Sequence, residues 1–288
     1  MPYIAYVNGR YRPIAEAAVS IEDRGFQFGG GVYEVMRIVD GGCCFLDRHL
    51  ARLARSLEAL AIAMPVSHQV LIGVLGQTLR RNGLREGVVY LQISRGAAPR
   101  NHLYPKAARP SLVVTVRRAH PPSAREVEEG VGVLTLPDER WKHCEIKSIS
   151  LLPNVMARQR AATAGCREAW LIDAQGLVTE GSASNAYIVD ADGRLITRPL
   201  GPEILGGVTR SVVLELAREA GIEVVERAFT PEEAKAAREA FLTSTSAPVL
   251  PVTAIDGQSV ANGHPGSLTQ LLHARYRERL IAAVHHFT

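Results

Sequence analysis

The chain has 288 residues, 47% of them apolar and 22% charged, with a formal net charge of +4. A chain of this length can bury one or two large cores. Its basic residues are scattered among acids, as in EEAKAAREA, which argues against a nucleic-acid module, and no apolar run is long enough to cross a bilayer.

The chain opens on MPYIAYVNGRYRP, which has no basic-then-apolar leader pattern, so a cytoplasmic protein is expected. YIAYVNGRYRPI alternates and turns at Asn8-Gly9, the signature of a β-hairpin. The stretch DRHLARLARSLEALAIAM follows as a helix, with Asp47 as its expected cap and Leu50, Leu53, Leu57 and Leu60 on one face. A second helix is expected over SHQVLIGVLGQTLRRNG, between Ser67 and Gly83. Strands are expected at VVYLQISRG and SLVVTVRR. Pro121 and Pro122 cannot continue a helix or a central strand. They place a linker at 119–125, between a smaller N-terminal domain over 1–118 and a larger one over 126–288.

Beyond the linker, strands are expected at GVGVLTL, CEIKSIS, EAWLID, NAYIVD and IEVVERAF. Helices are expected at LPNVMARQRAATAG and TRSVVLELAREAG, and at Thr230-Pro231-Glu232-Glu233, which carries a capping-box pattern. A last helix is expected over GSLTQLLHARYRERLIAAVHHF. The sum is a two-domain α+β protein without internal repeats. Cys43, Cys44, Cys144 and Cys166 have no metal-ligand spacing and are read as reduced thiols, so no metal site is expected.

Several residues could carry chemistry. The chain has only four lysines, Lys106, Lys142, Lys147 and Lys235, so 29 of its 33 basic residues are arginine. Lys147 sits in CEIKSIS, a short and largely uncharged stretch. A desolvated amine there could attack a carbonyl carbon, and an edge lysine in water is the plainer alternative. Glu180 precedes the small-residue turn of VTEGSASN, where a ligand could approach the backbone. Gly206 and Gly207 lead into a helix whose free N–H groups suit an anion. Thr243, Ser244, Thr245 and Ser246 add hydroxyls at another strand end. Arg100 and His102, in SRGAAPRNHLYP, could receive a carboxylate.

Taken in order, seven segments resemble the class IV, or fold type IV, pyridoxal-phosphate-dependent aminotransferases. They are EDRGFQFGGGVYEVMR, RHLARL, SRGAAPRNH, RWKHCEIKSISLLPNV, VTEGSASN, LGGVTR and LTSTSAPV. The resemblance implies a small N-terminal α/β domain and a larger, β-barrel-like domain with helices. It implies pyridoxal 5′-phosphate as cofactor, with Lys147 as its Schiff-base lysine and proton shuttle and Glu180 at the pyridine nitrogen. Arg52, Val208, Thr209, Ser244 and Thr245 would bind the phosphate; Leu205 would support the ring, and Ser184 and Asn185 would line the cofactor site. Read without the resemblance, Arg52 is one more helix-surface arginine beside Arg48 and Arg55.

Within that family, Tyr33, Arg100 and His102 resemble the α-carboxylate ligands of the D-amino-acid aminotransferases. The loop that carries Arg100 and His102 would reach in from the other subunit of a homodimer. The activity implied is transamination between a D-amino acid such as D-alanine and a 2-oxo acid such as 2-oxoglutarate. A branched-chain L-amino-acid aminotransferase, an (R)-amine transaminase and an aminodeoxychorismate lyase are the alternatives on the same fold; a non-catalytic binding protein is the alternative from another class. Gly30 stands where the family often has an acid, and Ala183 where it often has a serine, which removes a hydroxyl expected near the cofactor.

Overall fold

The computed structural model describes residues 3–287, which fall into two compact units. One holds the chain up to His120, together with Ile146–Ser150 and the residues from Leu280 on. The other holds Pro121–Glu145 and Leu151–Arg279.

The first unit is built on a seven-stranded, wholly antiparallel sheet. Its strands run, in spatial order, Val284–His285, Gly42–Cys44, Gly31–Val39, Gly87–Ser94, Ser111–Arg117, Ile4–Val7 and Arg10–Pro13. The expected hairpin is present: Asn8 and Gly9 both take positive φ, which suits the right-handed twist of the strands they join. Helices Leu46–Ala59 and His68–Asn82 bury their apolar stripes with the sheet in one core, where Met36, Ile38, Leu53, Leu75, Leu91 and Ile93 are fully buried. Ser67 caps the second helix through Val70 N–H, and Gly83 ends it in the left-handed region.

Asp47 does not cap its helix. The chain enters at Phe45, itself left-handed at φ 53°, with no side-chain cap, and Asp47 lies inside the first turn. There its charge still suits the positive end of the helix dipole.

CEIKSIS is not a strand. It makes one isolated bridge, Val32 with Ser148, and Ser148 N–H turns back onto the Ile146 carbonyl at 2.7 Å. That tight turn breaks the extended run. The side chains nevertheless keep the expected alternation: Cys144, Ile146 and Ser148 are buried, while Glu145 is exposed and Lys147 half-buried.

The second unit contains a mixed nine-stranded sheet ordered Val224–Glu226, Leu195–Thr197, Asn185–Val189, Glu239–Thr243, Leu250–Ile255, Val131–Pro137, Glu168–Ile172 and Val178–Gly181, with Gln258–Ser259 beside Leu250–Ile255. Its last strand, Val178–Gly181, is joined by a three-residue turn to Asn185–Val189 near the opposite end, so the sheet curls on itself. Trp170, Ile188, Phe229 and Val252 fill its core. After the Pro121–Pro122 stretch, Ser123 and Glu126 form a reciprocal capping box and start a short helix, Ala124–Glu129, which begins within the expected linker and runs beyond it. The capping box that the sequence does lead one to expect, at Thr230–Glu233, is half made. Thr230 accepts from Glu233 N–H, but the Glu233 carboxylate pairs with Arg227 instead. The last helix, Ser267–Ala282, is shorter than its sequence pattern, because Val284 and His285 leave it to pair with Cys43 and Cys44.

No described helix is long and apolar enough to cross a membrane, and no group of three or more described His, Cys, Asp or Glu residues could hold a metal ion.

Candidate active site

Two constellations of functional side chains stand out, and each is built within one unit.

The first surrounds Lys147. Its backbone is tied down on both sides: Lys147 N–H donates to Ser56 Oγ at 3.2 Å, and its carbonyl accepts from Tyr33 N–H at 3.0 Å. Ile149 N–H then donates to the Gly31 carbonyl. The Lys147 Nζ lies 4.2 Å from the centre of the Tyr33 ring. Tyr33 in turn stacks on Tyr90 at 5.7 Å. The other lysines differ: Lys106 and Lys142 are exposed, and Lys235 pairs with Asp256.

Behind Tyr33, on the core face of the same strand, lies Glu34 with no exposed surface. A charge there needs partners. Helix Leu46–Ala59 supplies them from one face, since His49 and Arg52 are three residues apart. Arg52 Nε and Nη2 bind the two Glu34 oxygens at 2.7 Å each, and His49 Nδ1 lies 2.7 Å from Oε2. Burial pushes the Glu34 pKa up, but hydrogen bonds and charge from Arg52 and His49 outweigh it and bring the value down to about 2. Burial holds the His49 pKa below its usual value, against the pull of Glu34, with the nearby charges of Arg52 and Lys147 acting in the same direction as burial. Arg52 is therefore a buried, oriented guanidinium, while Arg48 and Arg55 on the same helix are exposed. The reading of Arg52 as a surface charge is corrected by this burial.

Arg100 and His102 are exposed in the loop after Gly87–Ser94 and meet at one ring, Phe28. The loop starts at Gly96, whose φ is +85° and whose added Cβ would stand 1.9 Å from the Arg109 carbonyl oxygen, so only glycine fits.

The second constellation surrounds Glu180, at the end of Val178–Gly181. Its carboxylate is buried and accepts from three donors. Arg140 Nη1 binds one oxygen, while Asn185 Nδ2 and Leu205 N–H each donate to the other at 3.0 Å. Arg140 divides its charge, because Nε and Nη2 hold Asp138 and Nη2 also reaches Thr179 and the Glu203 carbonyl. The outcome is asymmetric. Burial opposes the Asp138 charge but Arg140 prevails, and its pKa falls. For Glu180 burial prevails over Arg140 and Leu205, and the pKa rises to about 7.

Asn185 also fixes the next element. Its Nδ2 donates to the Leu205 carbonyl at 2.9 Å, and its Oδ1 lies where a side chain on Gly207 would have to go, 2.2 Å from the ideal Cβ. Helix Val208–Glu219 starts at Gly207 with no side-chain cap, so the first N–H groups, including those of Val208 and Thr209, are available to an anion. The Thr209 hydroxyl lies 3.5 Å from Tyr276. Ser244 and Ser246 share a 3.3 Å contact in the turn after Glu239–Thr243, and Ser244 Oγ accepts from Ala247 N–H. Ser184 contacts Glu168, as does Ser182, which buttresses the turn after Glu180. Ala183 is the exposed residue of that turn, and its two serine neighbours make these bonds.

Glu34, His49 and Arg140 were not singled out from the sequence, although each lies in a segment that was. The signals were present: an acid on the core face of GVYEVMR, a His–Arg pair three apart in RHLARL, and an arginine opening RWKHCEIK.

The family model described as "Amino-transferase class IV" matches residues 31–255. The chain is 44% identical to the D-alanine aminotransferase of Bacillus licheniformis, covering 91% of this chain and 92% of that one. It is 38% identical to the D-alanine aminotransferase of Listeria innocua, covering 96% of each. Its fold is similar to the branched-chain aminotransferase of Thermoproteus uzoniensis, with a TM-score of 0.86 at 27% identity over 98% of each chain. It is similar also to the 4-amino-4-deoxychorismate lyase of Pseudomonas aeruginosa, with a TM-score of 0.83 at 28% identity, covering 95% of this chain and 98% of that one. With the family model spanning most of its length and relatives well above 30% identity, the chain belongs to the class IV aminotransferases.

Proposed function

We propose that this protein transfers the amino group of a D-amino acid, such as D-alanine, to a 2-oxo acid, such as 2-oxoglutarate, with pyridoxal 5′-phosphate as cofactor. The observation that carries the reading is Lys147: a half-buried lysine with both backbone groups pinned and its amine over Tyr33. The D-alanine aminotransferases it resembles over almost their whole length set the substrate class.

The residues present fit the cofactor. A sheltered amine, a buried carboxylate with a counter-cation and an uncapped helix start behind a glycine match an aldehyde, a ring nitrogen and a phosphate in turn. When bound, the cofactor supplies an electron-withdrawing ring that lets a substrate Cα–H leave as a proton.

The chain's own residues do the rest. Lys147 Nζ holds the cofactor, accepts the proton from the substrate Cα and later donates one, as base and then acid. Glu180, as carboxylate, favours a proton on the ring nitrogen, and Arg140 helps to keep it charged. The N–H groups of Val208 and Thr209, Arg52 and the hydroxyls of Ser244 and Thr245 bind the phosphate. Glu34 contributes by fixing the Arg52 guanidinium. Leu205 supports the ring, and Ser184 and Asn185 line the site. Tyr33, Arg100 and His102 take the substrate α-carboxylate, the last two serving the neighbouring subunit of a homodimer. A cytoplasmic location is part of this proposal, and four free cysteines suit a reducing compartment.

The test is an amino-donor panel on purified protein, D-alanine, L-leucine and (R)-phenylethylamine, each with 2-oxoglutarate. D-alanine is expected to lead. Preference for L-leucine or the amine would move the protein to another branch of the family. Borohydride reduction should fix the cofactor on Lys147, and label on Lys142 would overturn the assignment.

A further inference from the structure

Phe28, the last residue of the short helix Arg24–Phe28, collects three nitrogen-bearing side chains. The guanidinium carbons of Arg24 and Arg100 each lie 4.7 Å from the centre of its ring, and the His102 imidazole stands 5.6 Å away, tilted by 56°. Both Arg100 and His102 are exposed, and the loop that carries them buries little apolar surface of its own.

The segment around Phe28 holds that loop, together with Arg95, which lies over Tyr104 and donates to the Leu60 and Ala61 carbonyls. Ala98 N–H donates to the Glu22 carbonyl, Arg24 N–H to Gly96 and Arg95 N–H to Gly30, at 2.9 to 3.2 Å. Arg24 Nη2 reaches the Leu103 carbonyl at 3.2 Å. Arg24 is almost fully buried, yet its Nη1 has no hydrogen-bond partner among the described residues. Burying a cation with an unmade bond is costly. A ring face is the group that can offset part of that cost while also attracting the loop's own cation.

We infer that Phe28 is the positioning residue of the carboxylate grip: the face of its ring, not its bulk, sets where Arg100 and His102 stand before substrate arrives. This rests on the reading of Arg100 and His102 as carboxylate ligands. A guanidinium held on a ring has fewer orientations to lose on binding, so the ordering cost falls before the encounter. The effect belongs to substrate capture and is separate from cofactor loading.

The test compares the Phe28→Leu, Phe28→Tyr and Arg100→Ala holoenzymes, reading KM and kcat for D-alanine and the fraction of chains that borohydride fixes to cofactor. Leucine keeps the apolar volume and loses the ring face. Phe28→Leu is expected to raise KM roughly fivefold, the size of one partly exposed cation–π contact, with kcat and cofactor loading at wild-type values. Phe28→Tyr restores KM. An unchanged KM in Phe28→Leu, or a Phe28→Tyr as weak as the leucine variant, overturns the inference. If Arg100→Ala raises KM while Phe28→Leu does not, only the role of Phe28 falls. If Arg100→Ala also leaves KM unchanged, the carboxylate reading falls with it.

Discussion

The amine of Lys147 rests 4.2 Å above the centre of the Tyr33 ring, and the two residues are joined again through the backbone, Tyr33 N–H to the Lys147 carbonyl. One strand thus fixes both the position of the amine and the surface it lies on. A lysine on a flexible stem otherwise spends rotamer freedom to reach a single pose.

Replacing Lys147 by arginine keeps the charge over Tyr33 and removes the amine that can bond a carbonyl carbon. Turnover should fall by about a thousandfold or more, the scale of a lost proton-transfer group combined with a lost covalent anchor. Borohydride should no longer add cofactor mass to the chain. Retained mass in Lys147→Arg would show that another residue holds the cofactor.

Tyr33 has two separable parts. Tyr33→Phe keeps the ring beneath Lys147 and removes the hydroxyl proposed to meet the substrate carboxylate. KM for D-alanine should rise about tenfold, as for a lost hydrogen bond to a charged group, with kcat close to wild type. Tyr33→Leu should lower kcat as well, because the surface under the amine is gone. Equal kcat in the two variants would count against the ring's role.

Glu34 gives the fold an acid-sensitive joint. Its pKa falls from 4.5 in the unfolded chain to about 2 in the folded one, so its stabilisation is complete above the unfolded value and is lost as pH drops from about 4.5 through 2. That stabilisation is of the order of 3 kcal/mol. His49 adds a separate loss below its usual 6.5, since burial lowers its folded pKa and the unfolded chain takes the proton first. Urea unfolding at stepwise lower pH should show both. Glu34→Gln, which leaves Arg52 buried without its counter-charge, should cost about 3–5 kcal/mol and flatten the stability curve between pH 4.5 and 2. A variant as acid-sensitive as wild type would assign that sensitivity elsewhere.

Arg140 sets how much of Glu180 is ionised. Burial raises the Glu180 pKa to about 7 even with Arg140 in place. Arg140→Met removes the opposing cation, so the pKa rises further and the carboxylate forms only at higher pH. The acid limb of kcat/KM, which reports the free enzyme, should move upward, while the D-alanine KM at high pH changes little. An unmoved limb would mean that Glu180 does not govern it.

Much of the molecule was legible in the sequence because local chemistry decided it. Asn8-Gly9, Ser67 and Gly83 act through their own backbone or hydroxyl, and each stands where its chemistry places it. Where the sequence misled, a distant partner had decided. CEIKSIS alternates like a strand, but its hydrogen bonds go to single groups of Tyr33, Gly31 and Ser56 and not to a continuous ladder. Asp47 looked like a cap, but Phe45 takes the left-handed turn before it. The same holds for the candidate site. Lys147 and Glu180 could be named from composition and turn chemistry with the family resemblance. Glu34 and Arg140 could not, because an acid on a strand's inner face and an arginine in a loop acquire meaning only from the charges folded against them.

The five residues Ile146–Ser150 belong to a body whose other parts end at His120 and resume at Leu280. Separate expression of the segment up to His120 would therefore yield an incomplete module. It would lack the clasp on Tyr33 N–H and the outermost strand, Val284–His285, leaving the Gly42–Cys44 edge bare. Genetic truncation at that point should give aggregation in place of autonomous folding. The segment that carries Lys147 thus completes its unit only in a chain that extends well past His120.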